Sequence, residues 1–323
     1  MSAASLATAL RFKSGMRPAV FIDGEAGTTG LGIRQRLAGL ETLAILSIAA
    51  ADRKDPAARQ ALMEQADLII LCLPDEAARE AAALADALGS DAPRVLDASS
   101  AHRTAPGWVF GFPELAAGQA EAIRGARHVS NPGCYATGAI ALLRPLVDCG
   151  LIPRDQPISI NAISGYSGGG RSMIEAHETS GGPPFELYAL GLEHKHVPEI
   201  QHHAGLGRRP IFVPSVGHYR QGMLVSVPLH LDELPGRPTG ADLAAALAAH
   251  YAEAPAIAVS AEPLPRLEPE GLNDGDRMSL HVLANEARRQ AVLVARLDNL
   301  GKGASGAAVQ NLKLMLGLST EPA

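Results

Sequence analysis

Cys134 carries the clearest chemical signal in the chain. It follows the turn-forming Asn131-Pro132-Gly133 and opens an apolar run, Gly138-Ala139-Ile140-Ala141-Leu142-Leu143. Proline and glycine break the preceding segment and let the chain enter a helix sharply. The thiol therefore belongs at a helix N-terminus, where unpaired N–H groups and the macrodipole favour an anion. That setting points to a thiolate nucleophile. The magnitudes ask for more. An unperturbed thiol is only about 3% ionised at pH 7, and lowering its pKa by about two units takes about 2.7 kcal/mol. A helix terminus supplies about 0.3–1 kcal/mol. A nearby cation is needed as well, most naturally a histidine. The competing reading is a small, inert residue buried at a helix start.

Histidines cluster in Glu193-His194-Lys195-His196-Val197-Pro198-Glu199-Ile200, with His202 and His203 on the helix expected next. The spacing His-x-His permits metal binding, but no thiol pair or His-Glu-x-x-His motif accompanies it, so no metal is expected. An acid/base histidine working with Cys134 accounts for the cluster better. Two further segments are rich in donors. Ser164-Gly165-Tyr166-Ser167-Gly168-Gly169-Gly170-Arg171 reads as a flexible loop suited to holding a substrate or covering a nicotinamide. Asp97-Ala98-Ser99-Ser100-Ala101-His102-Arg103 follows an expected parallel strand, at the edge where ligands bind. Arg103 there suits a bidentate clamp on phosphate or carboxylate.

These residues need a scaffold, and the first third of the chain spells one. Pro18-Ala19-Val20-Phe21-Ile22-Asp23 reads as a buried strand, followed by Gly24-Glu25-Ala26-Gly27-Thr28-Thr29-Gly30 and a helix from Leu31 to Leu40. Strand, glycine turn and helix form the setting of a dinucleotide-binding fold. The spacing is G-x-x-G-x-x-G rather than G-x-G-x-x-G, but the backbone can still approach a pyrophosphate at a helix N-terminus. Strands are also expected at 43–48, 68–73 and 94–97, with a helix from Asp75 to Leu88. Such alternation indicates a parallel sheet with crossover helices. Cys72 falls inside an apolar strand run and reads as core. Asp52-Arg53-Lys54 follows the second strand. Its acid suits the ribose hydroxyls of NAD, and its basic pair suits the extra phosphate of NADP, which is the preferred reading. Beyond Cys134, strands at 157–164, 211–215, 222–229, 279–283 and 290–295 indicate an antiparallel or mixed sheet. A glycine-rich loop, 298–306, precedes a helix from Ala307 to Leu316 that is expected to return to the first domain.

Composition bounds the class. A chain of 323 residues with 47% hydrophobic and 19% charged residues is globular, and long enough for two lobes. Its net charge of −6 leaves no electrostatic footprint for nucleic acid. No apolar run approaches a membrane span. Three cysteines, Cys72, Cys134 and Cys149, make no disulfide framework and fit a reducing cytoplasm. The first 17 residues hold no acid and read as a loosely docked tail. The expected architecture is a Rossmann-type domain over 18–133 and 302–323, with an α+β catalytic and oligomerisation domain over 134–301.

The quoted segments, together with Asn299-Leu300-Gly301-Lys302-Gly303, resemble the N-acetyl-γ-glutamyl-phosphate reductases of arginine biosynthesis, most closely their shorter, second type. Asn-Pro-Gly-Cys-Tyr and His-x-His-x-Pro-Glu-Ile, in that order, are the specific pieces. The longer type shows Ser-Gly-Tyr-Thr-Gly after its first strand, which this chain lacks. The resemblance implies a semialdehyde-dehydrogenase-like fold, NADP(H) and no metal. It implies a homodimer or homotetramer that reductively dephosphorylates N-acetyl-γ-glutamyl phosphate to N-acetylglutamate 5-semialdehyde. It makes Cys134 the nucleophile and His194 the acid/base group. Arg103, Asn131, Ser164, Arg171, His196 and Glu199 are implied substrate residues. Gly24, Gly27, Thr28, Thr29, Gly30, Arg53, Lys54, Ser99, Gly165, Gly168 and Asn299 are implied cofactor residues. The competing readings are a reductase of another acyl phosphate, such as aspartyl phosphate or an aminoadipate derivative, and a non-catalytic NADPH-sensing regulator. A regulator needs neither Cys134 nor His194.

Overall fold

The computed structural model describes residues 12, 13, 15 and 17–319. The tail expected over residues 1–17 lies mostly outside them. Within it, Lys13 is tied down: its N–H donates to Asp67 and its ammonium to the carbonyls of Glu64 and Asp91.

The first sheet is built from β1 (Ala19–Asp23), β2 (Ala44–Leu46), β3 (Leu68–Leu71), β4 (Arg94–Asp97), β5 (Val109–Phe110) and β6 (His128–Ser130). Its strands are all parallel, in the order β2-β1-β3-β4-β6-β5. Every residue of β1 and β3 is buried, as a sheet covered on both faces demands. Val20 and Ile22 face one core and Phe21 the other, following the two-residue period of a strand. The connecting helices are α1 (Thr28–Leu37), α2 (Pro56–Gln65), α3 (Asp75–Asp86) and α4 (Gln119–Gly125). Helix α1 starts three residues before the expected Leu31, because extended Gly27 is its N-cap. Thr28, Thr29 and Gly30 are thus the first helical turn rather than a loop before it.

Helix α5 (Cys134–Asp148) leaves the carboxyl edge of β6 and runs buried across a second sheet. That sheet contains β7 (Ser159–Gly165), β8 (Phe185–Leu187), β9 (Ile211–Gly217), β10 (Met223–His230), β11 (Ile257–Ser260), β12 (Met278–Asn285) and β13 (Gln290–Leu297). It is mixed, in the order β11-β12-β13-β10-β7-β9-β8. The remaining helices are α6 (Gly170–Ser180), α7 (Val197–His203), α8 (Gly240–His250) and α9 (Gly306–Met315). Helices α5 and α8 cover one face of the second sheet, while α9 returns to pack on α1, α4 and β4.

Two expected loops are ordered elements instead. The donor-rich segment from Ser164 is the end of β7, a 3-10 turn at Tyr166–Gly169 and the start of α6. The glycine-rich segment before α9 contains a π-helix, Gly301–Ser305. This π-helix packs on the start of α5: a Cβ at Gly303 would lie 2.9 Å from the Cβ of Cys134. The two chain crossings between the sheets, β6 to α5 and β13 to α9, therefore meet at the thiol.

A buried ion pair anchors the second crossing. Lys302 donates to Glu114 Oε1 at 2.7 Å and to Gln310 Oε1 at 2.8 Å. Its ammonium lies 5.6 Å from the Phe112 ring centroid. Burial pushes Glu114 up, but the Lys302 charge together with hydrogen bonds from Lys302, Gln310 and the backbone outweighs it and holds the carboxyl below its ordinary range. Removing one partner of such a pair leaves an uncompensated buried charge. Lys302→Met should therefore lose about 3–5 kcal/mol in urea denaturation, and adding Glu114→Gln should recover part of it. Equal losses in the single and double variants would show that the pair does not brace this crossing.

Candidate active site

The start of α5 is shaped by what residue 133 lacks. Gly133 is the extended N-cap, and no side chain caps the helix. A Cβ there would lie 2.4 Å from His196 Nε2, 2.5 Å from Arg103 and 2.6 Å from Glu199 Oε1. Only glycine lets these groups close on the helix entrance. Glu199 is 1% exposed and accepts from Arg103 at 2.6 Å and from the Gly133 N–H at 3.1 Å. The Arg103 Nε donates to the carbonyl of Asn131. His203, stacked on Phe110, contacts the Arg103 carbonyl at 2.7 Å.

A cavity of about 300 Å³ opens on this entrance. It gathers Thr28, Thr29, Arg103, Asn131, Cys134, Ser164, Gly165, Gly168, His194, His196 and Asn299 from across the chain. Other residues named from the sequence stand apart from it. Glu199 lies behind the wall and holds Arg103. Arg171 is exposed on α6 and does not line the cavity. Ser99 is buried, with its N–H and hydroxyl donated to Asp97, because the chain turns tightly after β4. Gly24, Gly27 and Gly30 shape the turn behind Thr28 and Thr29. Gly24 has φ +88°, and a Cβ on it would meet the Cys72 carbonyl oxygen at 2.3 Å. Arg53 and Lys54 are exposed on the turn after β2, away from the cavity. Asn131 lines the cavity but spends its amide internally, donating to Ala304 and accepting from Asn311.

Lys195, Tyr135 and Tyr188 also line the cavity, a placement the sequence motifs do not indicate. The pattern His-Lys-His displays Lys195 openly, between two histidines that draw the chemical reading. Tyr135 is 3% exposed, donates to the Ser215 carbonyl, and sets its ring against both histidines with centroids 6.0 and 5.8 Å away.

The electrostatics differ from the expected thiolate and imidazolium. Burial pushes the Cys134 thiol above its ordinary value, outweighing the Tyr135 N–H, Arg103 and Lys195, which pull it down. His194 is lowered to about 4 by burial and by the charges of Lys195 and Arg103, so its ring is neutral at pH 7. Its Nδ1 accepts from the His196 N–H at 3.1 Å, which leaves the proton on Nε2, 3.4 Å from the Tyr188 hydroxyl. The cations acting on the thiol are therefore Arg103 and Lys195, not a histidine. His196 is 5% exposed and held well below its ordinary value by burial, and its Nδ1 has no partner.

This arrangement predicts two titrations in the ligand-free protein. Iodoacetamide should alkylate Cys134 at a rate that keeps rising through pH 9, followed by mass spectrometry of its peptide. A plateau already reached at pH 7 would contradict the raised thiol. By NMR the His194 ring should titrate near pH 4, and a midpoint near 6.5 would contradict its burial.

Residues 134–299 match the family model described as semialdehyde dehydrogenase, dimerisation domain. In overall shape the chain is similar to aspartate semialdehyde dehydrogenase II from Vibrio cholerae, described as complexed with ASA, with a TM-score of 0.69. That match has 15% identity and covers 93% of this chain and 98% of the other. The aspartate semialdehyde dehydrogenase described with NADP from Candida albicans gives a TM-score of 0.64, at 15% identity, over 93% of this chain and 98% of the other. These distant likenesses establish the fold: a Rossmann-type domain joined to an α+β domain. Much nearer is the N-acetyl-gamma-glutamyl-phosphate reductase of Burkholderia cenocepacia, 53% identical over 94% of this chain and 98% of the relative. The N-acetyl-gamma-glutamyl-phosphate reductase 2 of Pseudomonas putida is 54% identical over 93% of this chain and 97% of the relative. Identity of this degree along nearly the whole of both chains places the protein in the N-acetyl-γ-glutamyl-phosphate reductase family.

Proposed function

We propose that the chain converts N-acetyl-γ-glutamyl phosphate to N-acetyl-L-glutamate 5-semialdehyde with NADPH, through a thioester on Cys134, as a step of arginine biosynthesis. One observation carries this reading: the thiol and the first turn of α1 line the same cavity. A nucleophile and a dinucleotide-binding turn can then act on one carbonyl.

The residues present fit the cofactor. Gly24 and Gly30 bring the backbone close, since a Cβ at Gly30 would lie 2.6 Å from the Gly24 carbonyl oxygen. The N-terminus of α1 has no side-chain cap, so its N–H groups at Thr28 and Thr29 are left for a pyrophosphate. Ser47 follows β2, and the Arg34 guanidinium, paired with Glu25 at 2.9 Å, lies 2.6 Å from its hydroxyl. Arg34 and Ser47, with exposed Arg53 and Lys54 on the following turn, suit the additional phosphate of NADP(H).

The chain's own groups then divide the work. The Cys134 sulfur attacks the acyl carbon, the C–S bond forms, and the bond to the phosphate oxygen breaks. Inorganic phosphate departs with the thiol's proton. NADPH, when bound, supplies the hydride that reduces the thioester carbonyl. The Nε2–H of His194 donates to the carbonyl oxygen as negative charge develops there, and N–H groups at the start of α5 share that charge. A proton from solvent completes the thiohemiacetal, whose C–S bond breaks to release the aldehyde and restore the thiol. Arg103, held rigid by Glu199 and the Asn131 carbonyl, fixes the wall against which the substrate sits.

We further propose self-association through the uncovered face of the second sheet. Leu224 and Leu283 are half-buried there and Val292 is exposed, on the side away from α5 and α8. Among the described residues no helix is long and apolar enough to cross a membrane. The three cysteines are free, which suits the cytoplasm.

The assay is phosphate-dependent reduction of NADP by N-acetylglutamate semialdehyde, with aspartate semialdehyde as the comparison. Faster turnover of the aspartate compound would overturn the substrate assignment. Cys134→Ser should abolish turnover while NADPH still binds. His194→Leu should lower kcat about 10²–10³-fold, the range for loss of one donor to a developing oxyanion. The double replacement Arg53→Ala with Lys54→Ala should weaken NADPH binding about tenfold or more and leave NADH unchanged. Equal weakening of both cofactors would remove these residues from phosphate recognition.

A further inference from the structure

Lys195 is an exposed cation on the cavity wall, between half-buried His194 and buried His196. It pairs with no carboxylate among the described residues. The other permanent cation lining the cavity, Arg103, is already neutralised by Glu199 at 2.6 Å. No aspartate or glutamate lines the cavity, and both of its histidines are neutral at pH 7. The cavity therefore presents one uncompensated positive charge. His196, whose buried Nδ1 has no hydrogen-bond partner among the described residues, stands beside it in the same wall. Buried polar atoms seldom go unpartnered.

We propose that Lys195 binds the phosphoryl group of the acyl phosphate, and the inorganic phosphate it becomes. The inference rests on the substrate reading above and adds to it the residue that holds the leaving group. Two anionic ends of that substrate compete for the ammonium. The phosphoryl oxygen is bonded to the very carbon that the Cys134 sulfur attacks, whereas the α-carboxylate lies several bonds away along the side chain. Lys195 stands at the reacting end: it lines the same cavity as Cys134, directly between His194 and His196. A compact charge on a flexible stem can follow a departing dianion, which the clamped Arg103 cannot do. The ammonium thereby favours expulsion of phosphate in one direction and its capture in the other.

Running the reaction backward separates the two ends, because phosphate and semialdehyde are then distinct substrates. Lys195→Gln should raise the KM for phosphate about tenfold or more and leave the KM for N-acetylglutamate semialdehyde within about twofold. Lys195→Arg should recover most of the loss. A second readout needs no turnover. At constant ionic strength, inorganic phosphate should slow iodoacetamide alkylation of Cys134 in the native protein. The concentration giving half protection should rise about tenfold in Lys195→Gln. A raised semialdehyde KM with an unchanged phosphate KM would move Lys195 to the carboxylate and overturn the proposal, as would undiminished protection by phosphate. Protection that depends on Lys195 in a protein unable to turn over the semialdehyde would overturn the substrate assignment and leave the phosphate site standing.

Discussion

The absence of a side chain at residue 133 is the constraint on which the site depends. Arg103 comes from one stretch of chain and His196 and Glu199 from another, and all crowd the space a Cβ would fill. Glu199 uses that closeness to accept both the Arg103 guanidinium and the Gly133 N–H. One buried carboxylate thus fixes a cation and the helix entrance together. Even alanine at 133 would push these partners apart. The helix start, the guanidinium and the histidine would then lose their common reference, and Cys134, the next residue, would move with them.

The same crowding explains the charge state of the site. Helix termini and cations lower a thiol, but desolvation here is larger than either, so the resting sulfur stays protonated. Both histidines are neutral for the same reason. A resting thiol of this kind resists alkylation and oxidation, because the thiolate is the reactive form. Reactivity then has to arrive with the substrate, whose acyl carbon draws the sulfur's electrons as its phosphate leaves.

Local signals were legible in the sequence and tertiary ones were not. Pro132 and Gly133 announced a helix starting at Cys134, and the structure starts it there. The strand expected over 94–97 is β4, with both ends as observed. Helix α1 was placed late because Thr28 and Thr29 read as turn, whereas extended Gly27 ends the turn before them. The edge strand β8, Phe185–Leu187, has three residues and no alternation long enough to read. The partnership of Arg103 with Glu199 spans 96 positions, and no spacing rule reaches that far. The expected thiolate failed for a related reason. Helix position can be read from neighbours in sequence, but desolvation is set by whatever the fold places on top. Nothing in the sequence marks Lys195 as facing a ligand; that follows only from the cavity and its lack of carboxylates.

The meeting of both chain crossings at Cys134 gives the fold a mechanical consequence. The nucleophile loop is stitched to the π-helix by Asn131, which donates to Ala304 and accepts from Asn311. Gly303 allows that π-helix to touch Cys134, and Lys302 next to it is locked to Glu114. On the other side, Asn299 donates to Ser167 and accepts from Gly222, which ties the approach to the π-helix to the second sheet. Any shift of one sheet against the other must pass through these contacts. The thiol sits where they converge, so the geometry between the dinucleotide-binding turn and the sulfur is set by both domains at once. A π-helix is a poorly stabilised element in isolation, and such turns occur mostly where a site requires them. Here Gly303 lets the π-helix approach the start of α5, while Cβ atoms at Gly301 and Gly306 would collide with the Gly275 carbonyl and the Asp276 carboxylate. Glycines at those positions serve close packing, against the nucleophile at Gly303 and against the 275–276 segment at Gly301 and Gly306, rather than flexibility.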